Sequence, residues 1–250
     1  MNNYSEKEYE IFSRLFILDE FSEKNLNILS KIKIGIIGIG GIGCPLSQYL
    51  VNSGIKELVL VDGDTVEKSN LNRQILFNLN DIGKKKVDVA KNKLQLINNE
   101  CKIESIDKNI DSSNINSLVK CSIVVDATDN WLTSKLLNQY CLENSIDFLY
   151  SSVLKHDLQI ILFNNSDKSN HLCLNCIFPN KDEIDLPRCS TVGISGISAG
   201  LAGLVAAQKI INFSLNLKDE TNIMTISDGK KLNIDNIIIK SKHDCYLKSV

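Results

Sequence analysis

The chain has 250 residues, 43% of them hydrophobic and 23% charged, with a formal net charge of −2. This is the composition of a globular protein able to bury a sizeable core. Charge so near neutrality gives no electrostatic footprint for nucleic acid or an anionic membrane, so neither is expected as a partner. No basic start followed by an apolar run and a small-residue cleavage site is seen, so the chain reads as cytoplasmic. Its eight cysteines then read as reduced thiols rather than a disulfide framework.

Residues 1–32 are charged and amphipathic. Ile11, Leu15 and Leu18, then Leu26 and Leu29, recur at helical spacing. This arm precedes the first strand and is expected outside the sheet core. Residues 33–37 form an apolar, β-branched run (Ile34, Ile36, Ile37) of the kind buried in parallel sheets. It leads into Gly38-Ile39-Gly40-Gly41-Ile42-Gly43, a G-x-G-x-x-G in which Gly38, Gly40, Gly41 and Gly43 permit a tight turn and close approach to a phosphate. A helix from Ile42 to about Asn52 follows, with Pro45 in its first turn and Gly54 as its stop. Its N-terminal N–H groups would face an anion. A second strand, Glu57 to Val61, ends at Asp62, 19 residues past Gly43, where such folds place the carboxylate that binds ribose hydroxyls.

A polar, aperiodic segment through Phe77 comes next. Asp81-Ile82-Gly83 then precedes an amphipathic helix with Val87, Ala90, Leu94 and Ile97 on its inner face. Strands are expected at Lys102–Ile106, Ile123–Val125, Phe148–Val153 and Leu158–Phe163, with a helix over Trp131–Glu143. This alternation predicts an α/β fold: a doubly wound, Rossmann-like, mostly parallel sheet. Ligands in such sheets bind outside the carboxyl ends of the strands, where Asp62, Asp126 and Asp129 fall. Residues 164–192 are irregular, with two prolines and three cysteines. The uncharged run Ser190–Gln208 is long enough for a membrane span, but its four glycines and four Ser/Thr suit a packed core or subunit-interface helix better. Ile223–Ile226 and Ile234–Ile239 read as closing strands that complete a mixed sheet. No linker divides residues 1–250, so one domain is expected: an arm (1–32), a nucleotide-binding core (33–150), and a crossover loop, interface helix and closing strands (151–250).

The polar residues read together as a nucleotide site. The glycine loop could hold phosphates and Asp62 the ribose, Arg73 and Lys86 could supply two positive charges, and Asp129 could hold Mg²⁺. Each also has a bland reading: a surface arginine, a solvated lysine run over Lys84, Lys85 and Lys86, and an aspartate capping the next helix. Cys44, Cys101, Cys121 and Cys141 read as small buried fillers.

The ordered string GIGGIG, D-x-D-x-V-x-x-S-N-L-x-R-Q (Asp62 to Gln74), G-x-x-K (Gly83 to Lys86) and D-x-x-D-N (Asp126 to Asn130) resembles the ThiF/MoeB/HesA family, bacterial relatives of ubiquitin-activating enzymes. Phe12-Ser13-Arg14 is similar to the family's aromatic-Ser-Arg arm. Cys173-Leu174-Asn175-Cys176-Ile177-Phe178-Pro179 is similar to its C-x-x-C-x-F-P, and Cys189 with Gly193 to its loop before the interface helix. The resemblance implies ATP-dependent adenylation of a partner's C-terminal carboxylate in a homodimer. ATP would be seated by Gly38, Gly40, Gly41, Gly43, Asp62 and Asp64, with Asn70, Arg73 and Lys86 on its phosphates. Asp129 would hold Mg²⁺, and Arg14 would reach the triphosphate of the other subunit. The acceptor it implies is a small ubiquitin-like sulfur carrier of the ThiS/MoaD type, or alternatively a short ribosomal peptide of the microcin type. A nicotinamide-dependent oxidoreductase also suits the glycine loop, but leaves Asn70, Arg73, Lys86 and Asp129 without a role.

The chain departs from the family pattern in two places. An arginine expected five residues after Asp129 is Ser134, followed by Lys135. The family's zinc site uses two C-x-x-C pairs, whereas here Cys173 and Cys176 are joined only by Cys245, with Lys248 in the last ligand place. Completion by His243 or His171, or loss of the Zn²⁺, are both compatible with that sequence. Cys189 matches a cysteine that takes part in sulfur chemistry or links to the activated partner in some relatives and is dispensable in others.

Overall fold

Short runs of Ile, Val and Leu ending at a glycine or an aspartate become the strands of a single sheet in the computed structural model, which describes residues 5–167, 172–179, 193–218 and 220–240. The strands are β1 (Lys33–Ile37), β2 (Glu57–Val61), β3 (Lys102–Ile106), β4 (Ile123–Asp126), β5 (Asp147–Leu154), β6 (Asp157–Phe163), β7 (Ile223–Asp228) and β8 (Asn233–Ile238). They lie in the order β3-β2-β1-β4-β5-β6-β7-β8. β3 through β5 run parallel, and β6, β7 and β8 add antiparallel. The mixed, mostly parallel sheet expected from sequence is the one observed.

Side chains alternate across the sheet with period two, so each strand feeds two cores. Ile34 and Ile36 of β1, with Leu58 and Leu60 of β2, face one cluster. Ile37, Val59 and Val61 face the other. The first is covered by α3 (Gly43–Asn52), α4 (Lys86–Ile97) and α7 (Gly196–Ser214), through residues such as Leu46, Leu50, Val87, Leu94, Ala202 and Ala206. The second is covered by α5 (Trp131–Glu143) and the single turn α6 (Leu174–Ile177). Cys44, Cys101, Cys121 and Cys141 are buried fillers as expected. Burial pushes the thiols of Cys44, Cys101 and Cys121 up to about 12, far from reactive.

The arm corrects one expectation. It lies outside the sheet, yet Phe12, Leu26 and Leu29 are fully buried in the sheet's first core, while Ile11 and Leu18 stay exposed. The chain there is not one amphipathic helix. Two helices, α1 (Glu6–Ile11) and α2 (Glu23–Leu29), flank two 3₁₀ turns, so the helical period does not carry through. An ion pair between Lys56 and the buried Glu8 fastens the arm to the loop before β2.

α7 is the one helix among the described residues long and apolar enough to cross a membrane, and half of its apolar window is buried within the fold. It runs six residues beyond the uncharged stretch because Lys209 is buried too. The Lys209 ammonium donates to Glu220 Oε2 at 2.7 Å and to the Ile223 carbonyl at 3.3 Å. Asn212 donates to the other oxygen of Glu220 at 2.9 Å, which ties the helix to the start of β7.

Candidate active site

The glycine loop joins β1 to α3 at the carboxyl end of the sheet. Gly38 adopts φ +91°, and a Cβ there would stand 2.8 Å from the Ala127 carbonyl oxygen. A Cβ on Gly43 would stand 2.1 Å from the Gly38 carbonyl oxygen, and one on Gly41 2.9 Å from the Ala199 methyl. These three glycines allow loop, helix and neighbour to close on one another. Gly40 is different: its nearest neighbour in the Cβ direction is the Gln74 amide nitrogen at 3.9 Å, so its backbone is left open to the cavity. The first turn of α3 has no side-chain cap, leaving its N–H groups to whatever occupies that cavity.

Asp62, at the end of β2, pins this loop. Its Oδ2 accepts from Ile39 N–H at 2.7 Å and its Oδ1 from Asp64 N–H at 2.9 Å. Burial raises its pKa above the ordinary carboxylate value, opposed by the nearby Lys86 charge and these two amides. Segment 64–66 pairs with segment 83–86: Val66 N–H donates to the Lys84 carbonyl, Gly83 N–H to the Val66 carbonyl and Lys86 N–H to the Asp64 carbonyl, at 2.8, 2.8 and 3.1 Å. That ribbon delivers Lys86 into the site. Its side chain is 6% exposed, against 61% for Lys84 and 46% for Lys85, so a solvated lysine run describes only the first two. The Lys86 ammonium lies 2.8 Å from Asp64 Oδ2 and 3.9 Å from Asp62 Oδ2.

The polar segment after Asp64 folds over the same strand ends. Asn70 is buried, and its Oδ1 accepts from Glu67 N–H at 3.0 Å, which closes the turn presenting Arg73 and Gln74. Arg73 is half-buried at the rim, its Nη1 donating to the Ser69 carbonyl at 2.9 Å and to Asn72 Oδ1 at 3.0 Å. Gln74 is buried with its Oε1 lacking any partner.

At the end of β4, Asp126 Oδ1 accepts from the N–H and the hydroxyl of Thr128 at 3.0 and 2.7 Å, while its Oδ2 is buried without a partner. Burial lifts its pKa to about 6. Asn130, not Asp129, caps α5, its Oδ1 accepting from Leu132 and Thr133 N–H groups. The capping explanation for Asp129 therefore falls away. Its exposed carboxylate has no hydrogen bond or ion pair among the described residues. Ser134, where the family pattern has arginine, is buried and donates to the Asn130 carbonyl at 3.2 Å.

Gly38, Gly40, Gly41, Asp62, Asp64, Asn70, Arg73, Lys86 and Asp129 all line one cavity of about 670 Å³. Gly43 lies beneath it as a packing residue. Arg14 is exposed on the arm and does not line the cavity of its own chain. Cys189 and Cys245, with His171, His243 and Lys248, lie outside the described residues. The Sγ atoms of Cys173 and Cys176 are 3.7 Å apart, and no group of three or more metal-ligating side chains occurs among the described residues.

Sequence reasoning missed two parts of the lining. Gln74 closes the motif that contains Arg73, and that adjacency was its only signal. Trp131, Tyr150 and Phe178 meet edge-on, with ring centroids 5.8 to 6.3 Å apart, and form an aromatic end to the cavity. They sit far apart in sequence, and no local pattern links them. Burial pushes the Tyr150 phenol up to about 12, so it stays protonated. The donor set fits a nucleoside triphosphate with a divalent cation: two cationic side chains, open backbone at Gly40, an orphan amide oxygen on Gln74 and an unengaged carboxylate on Asp129.

A family model described as the ThiF family matches residues 12–247. The SAMP-activating enzyme E1 of Haloferax volcanii is 30% identical over 237 residues, covering 94% of this chain and 86% of its own. The probable molybdopterin-synthase adenylyltransferase of Porphyra purpurea is 31% identical over 257 residues, covering 99% of this chain and 66% of its own. The adenylyltransferase and sulfurtransferase MOCS3 of Drosophila virilis is 33% identical over 242 residues, and this chain spans only 53% of its length. Among solved structures, E. coli MccB with MccA-N7isoASN superposes with a TM-score of 0.83 at 22% identity, over 100% of this chain and 76% of that one. PaaA superposes at 0.81 with 20% identity, over 96% and 86%. At these identities the two structures establish the fold.

Proposed function

The chain belongs to the ThiF family, and on that premise we propose that it is an ATP-dependent adenylyltransferase that activates the C-terminal carboxylate of a small ubiquitin-like sulfur-carrier protein and releases pyrophosphate. One observation carries this reading: the open glycine backbone, Arg73, Lys86 and Asp129, from four separate stretches, share one cavity. The relatives named as SAMP-activating and molybdopterin-synthase adenylyltransferase enzymes support it.

Two anions, the acceptor carboxylate and the α-phosphate, must meet. The protein's work is therefore positioning and charge neutralisation rather than covalent chemistry. The Gly40 backbone and the α3 amides seat phosphates, Asp62 takes the ribose, and Asn70, Arg73 and Lys86 bind the triphosphate. A carboxylate oxygen attacks the α-phosphorus in line, and the bond to the bridging oxygen breaks. Pyrophosphate leaves with the electron pair, and an acyl-adenylate remains. No general base is needed, because the nucleophile is already an anion. Asp129 would hold Mg²⁺, which neutralises phosphate charge when bound. Arg14 acts on the triphosphate of the second subunit of a homodimer, a role in which a cationic finger supplied in trans is worth about 10³- to 10⁵-fold in other NTPases. The enzyme works in the cytoplasm. Cys173 and Cys176 offer half of a zinc site that Cys245 would extend, and metal analysis of purified protein tests it: one equivalent of Zn²⁺ supports the site and none removes it.

A second reading changes only the acceptor, to the C-terminal residue of a short peptide. The aromatic end formed by Trp131, Tyr150 and Phe178 favours it by offering flat apolar surface to a side chain that a Gly-Gly tail lacks. The test of the shared chemistry is ATP–pyrophosphate exchange. Asp129→Ala and Arg73→Ala abolish exchange while the melting temperature holds, and wild-type exchange in a folded Asp129→Ala protein refutes the assignment. Labelled-AMP transfer to a Gly-Gly-ended carrier or to a short peptide then separates the two acceptors.

A further inference from the structure

The motif residue least accounted for is Asp64. It sits on the ribbon that delivers Lys86, its backbone carbonyl accepting from Lys86 N–H at 3.1 Å and its Oδ2 lying 2.8 Å from the Lys86 ammonium. The two partners are unequal. The Lys86 side chain is only 6% exposed, whereas the Asp64 side chain is 64% exposed at the cavity rim. A buried ammonium is costly unless it is paired. Asp62, at 3.9 Å and already accepting from the Ile39 amide, is a second and more distant counter-charge.

We propose that Asp64 is a place-holder for the triphosphate: it neutralises Lys86 before polyphosphate binds and yields that position to a phosphate oxygen when it does. This rests on the nucleotide reading of the cavity above. Its carboxylate can swing into solvent at small cost, since an exposed partner of an ion pair forfeits little. Lys86 cannot follow it, so the lysine stays in the cavity throughout. Two like-charged groups then compete for one cation, and Asp64 sets polyphosphate affinity from below. It keeps a buried cation paired between turnovers and aids escape of pyrophosphate by recapturing the lysine.

The consequence has an unusual sign, because removing a motif carboxylate beside the site strengthens binding. Calorimetric titrations of wild type and Asp64→Asn with Mg·ATP, inorganic triphosphate and adenosine test it. The expected result is that Asp64→Asn tightens both polyphosphates by about two- to five-fold, the range set by loss of a competing exposed ion-pair partner, and leaves adenosine unchanged. Unchanged or weaker polyphosphate binding overturns the proposal, as does equal tightening of adenosine. Asp64→Ser serves as a second variant should the first fail to fold. Inorganic triphosphate keeps this test separate from the adenylation reading: tightening of that anion by a chain with no ATP–pyrophosphate exchange sinks the enzyme and leaves the place-holder standing.

Discussion

Asp126 offers a direct check on the electrostatics of the site. It is fully buried at the end of β4, with Thr128 on its Oδ1 and no partner on its Oδ2. Burial raises its pKa from 3.8 to about 6; the nearby Ser134 hydroxyl dipole and the hydrogen bonds from Thr128 oppose that rise and Asp129 adds to it. A carboxyl with a raised folded-state pKa stabilises the fold most fully below its unfolded value, and that contribution is lost as pH climbs through the folded one. The window here runs from about pH 4 to about pH 6. About two pH units at roughly 1.36 kcal/mol each make the loss on the order of 3 kcal/mol. Asp126→Asn keeps the shape and an oxygen for Thr128 but cannot titrate. Its amide nitrogen replaces an oxygen that already lacks a partner, which adds a constant offset of about 1–3 kcal/mol that does not change with pH. Urea denaturation of both proteins from pH 4 to pH 7.5 isolates the effect, because other groups cancel in the difference. The variant should gain about 3 kcal/mol on wild type as pH rises across that window. Parallel stability curves would refute the buried, unpaired carboxylate.

Other perturbations test the loop, the helix and the arm. Gly43→Ala forces a Cβ to within 2.1 Å of a carbonyl oxygen and should cost about 3 kcal/mol, the upper end for overpacking. Gly200→Ala, inside α7 with nothing within 4 Å, should instead stabilise by about 0.5–1 kcal/mol, and thermal melts read both. Lys209→Met strands the buried Glu220 and should cost about 3–5 kcal/mol in denaturant, whereas Lys209→Met with Glu220→Leu should recover most of it. Failure of the double variant to recover would show that the pair is needed for more than its charge. For Arg14, separately inactive Arg14→Ala and Asp129→Ala chains should regain exchange activity when mixed, since one site of a mixed dimer takes Asp129 from the first chain and Arg14 from the second. A mixture that stays inactive argues against action in trans.

The strands were legible because their borders are local. Ile and Val runs stop at Gly38, Asp62 and Asp126, and those stops are also where the site lies. The motif residues were legible for the same reason, since spacing along one ribbon or one loop places them. Three things were not. The arm misled because Ile11 and Leu18 share a helical period with Leu15 and yet face solvent once 3₁₀ turns interrupt it. The far end of α7 was hidden because the uncharged run stops at Lys209, and only Glu220, eleven residues on, makes that lysine a core residue. The aromatic end and the orphan oxygens of Gln74 and Asp126 depend on burial and on missing partners, which are properties of the packed chain and not of any local stretch.

The central claim is that one triphosphate lies across the mouth of the parallel sheet. A crystal structure with Mg²⁺ and a non-hydrolysable ATP analogue tests it most directly. The expected result has phosphates over Gly40 and Gly41, Arg73 and Lys86 within hydrogen-bond reach, and the lysine no longer on Asp64. A nucleotide lodged against Trp131 and Tyr150, with Arg73 and Lys86 left as they stand now, would contradict it.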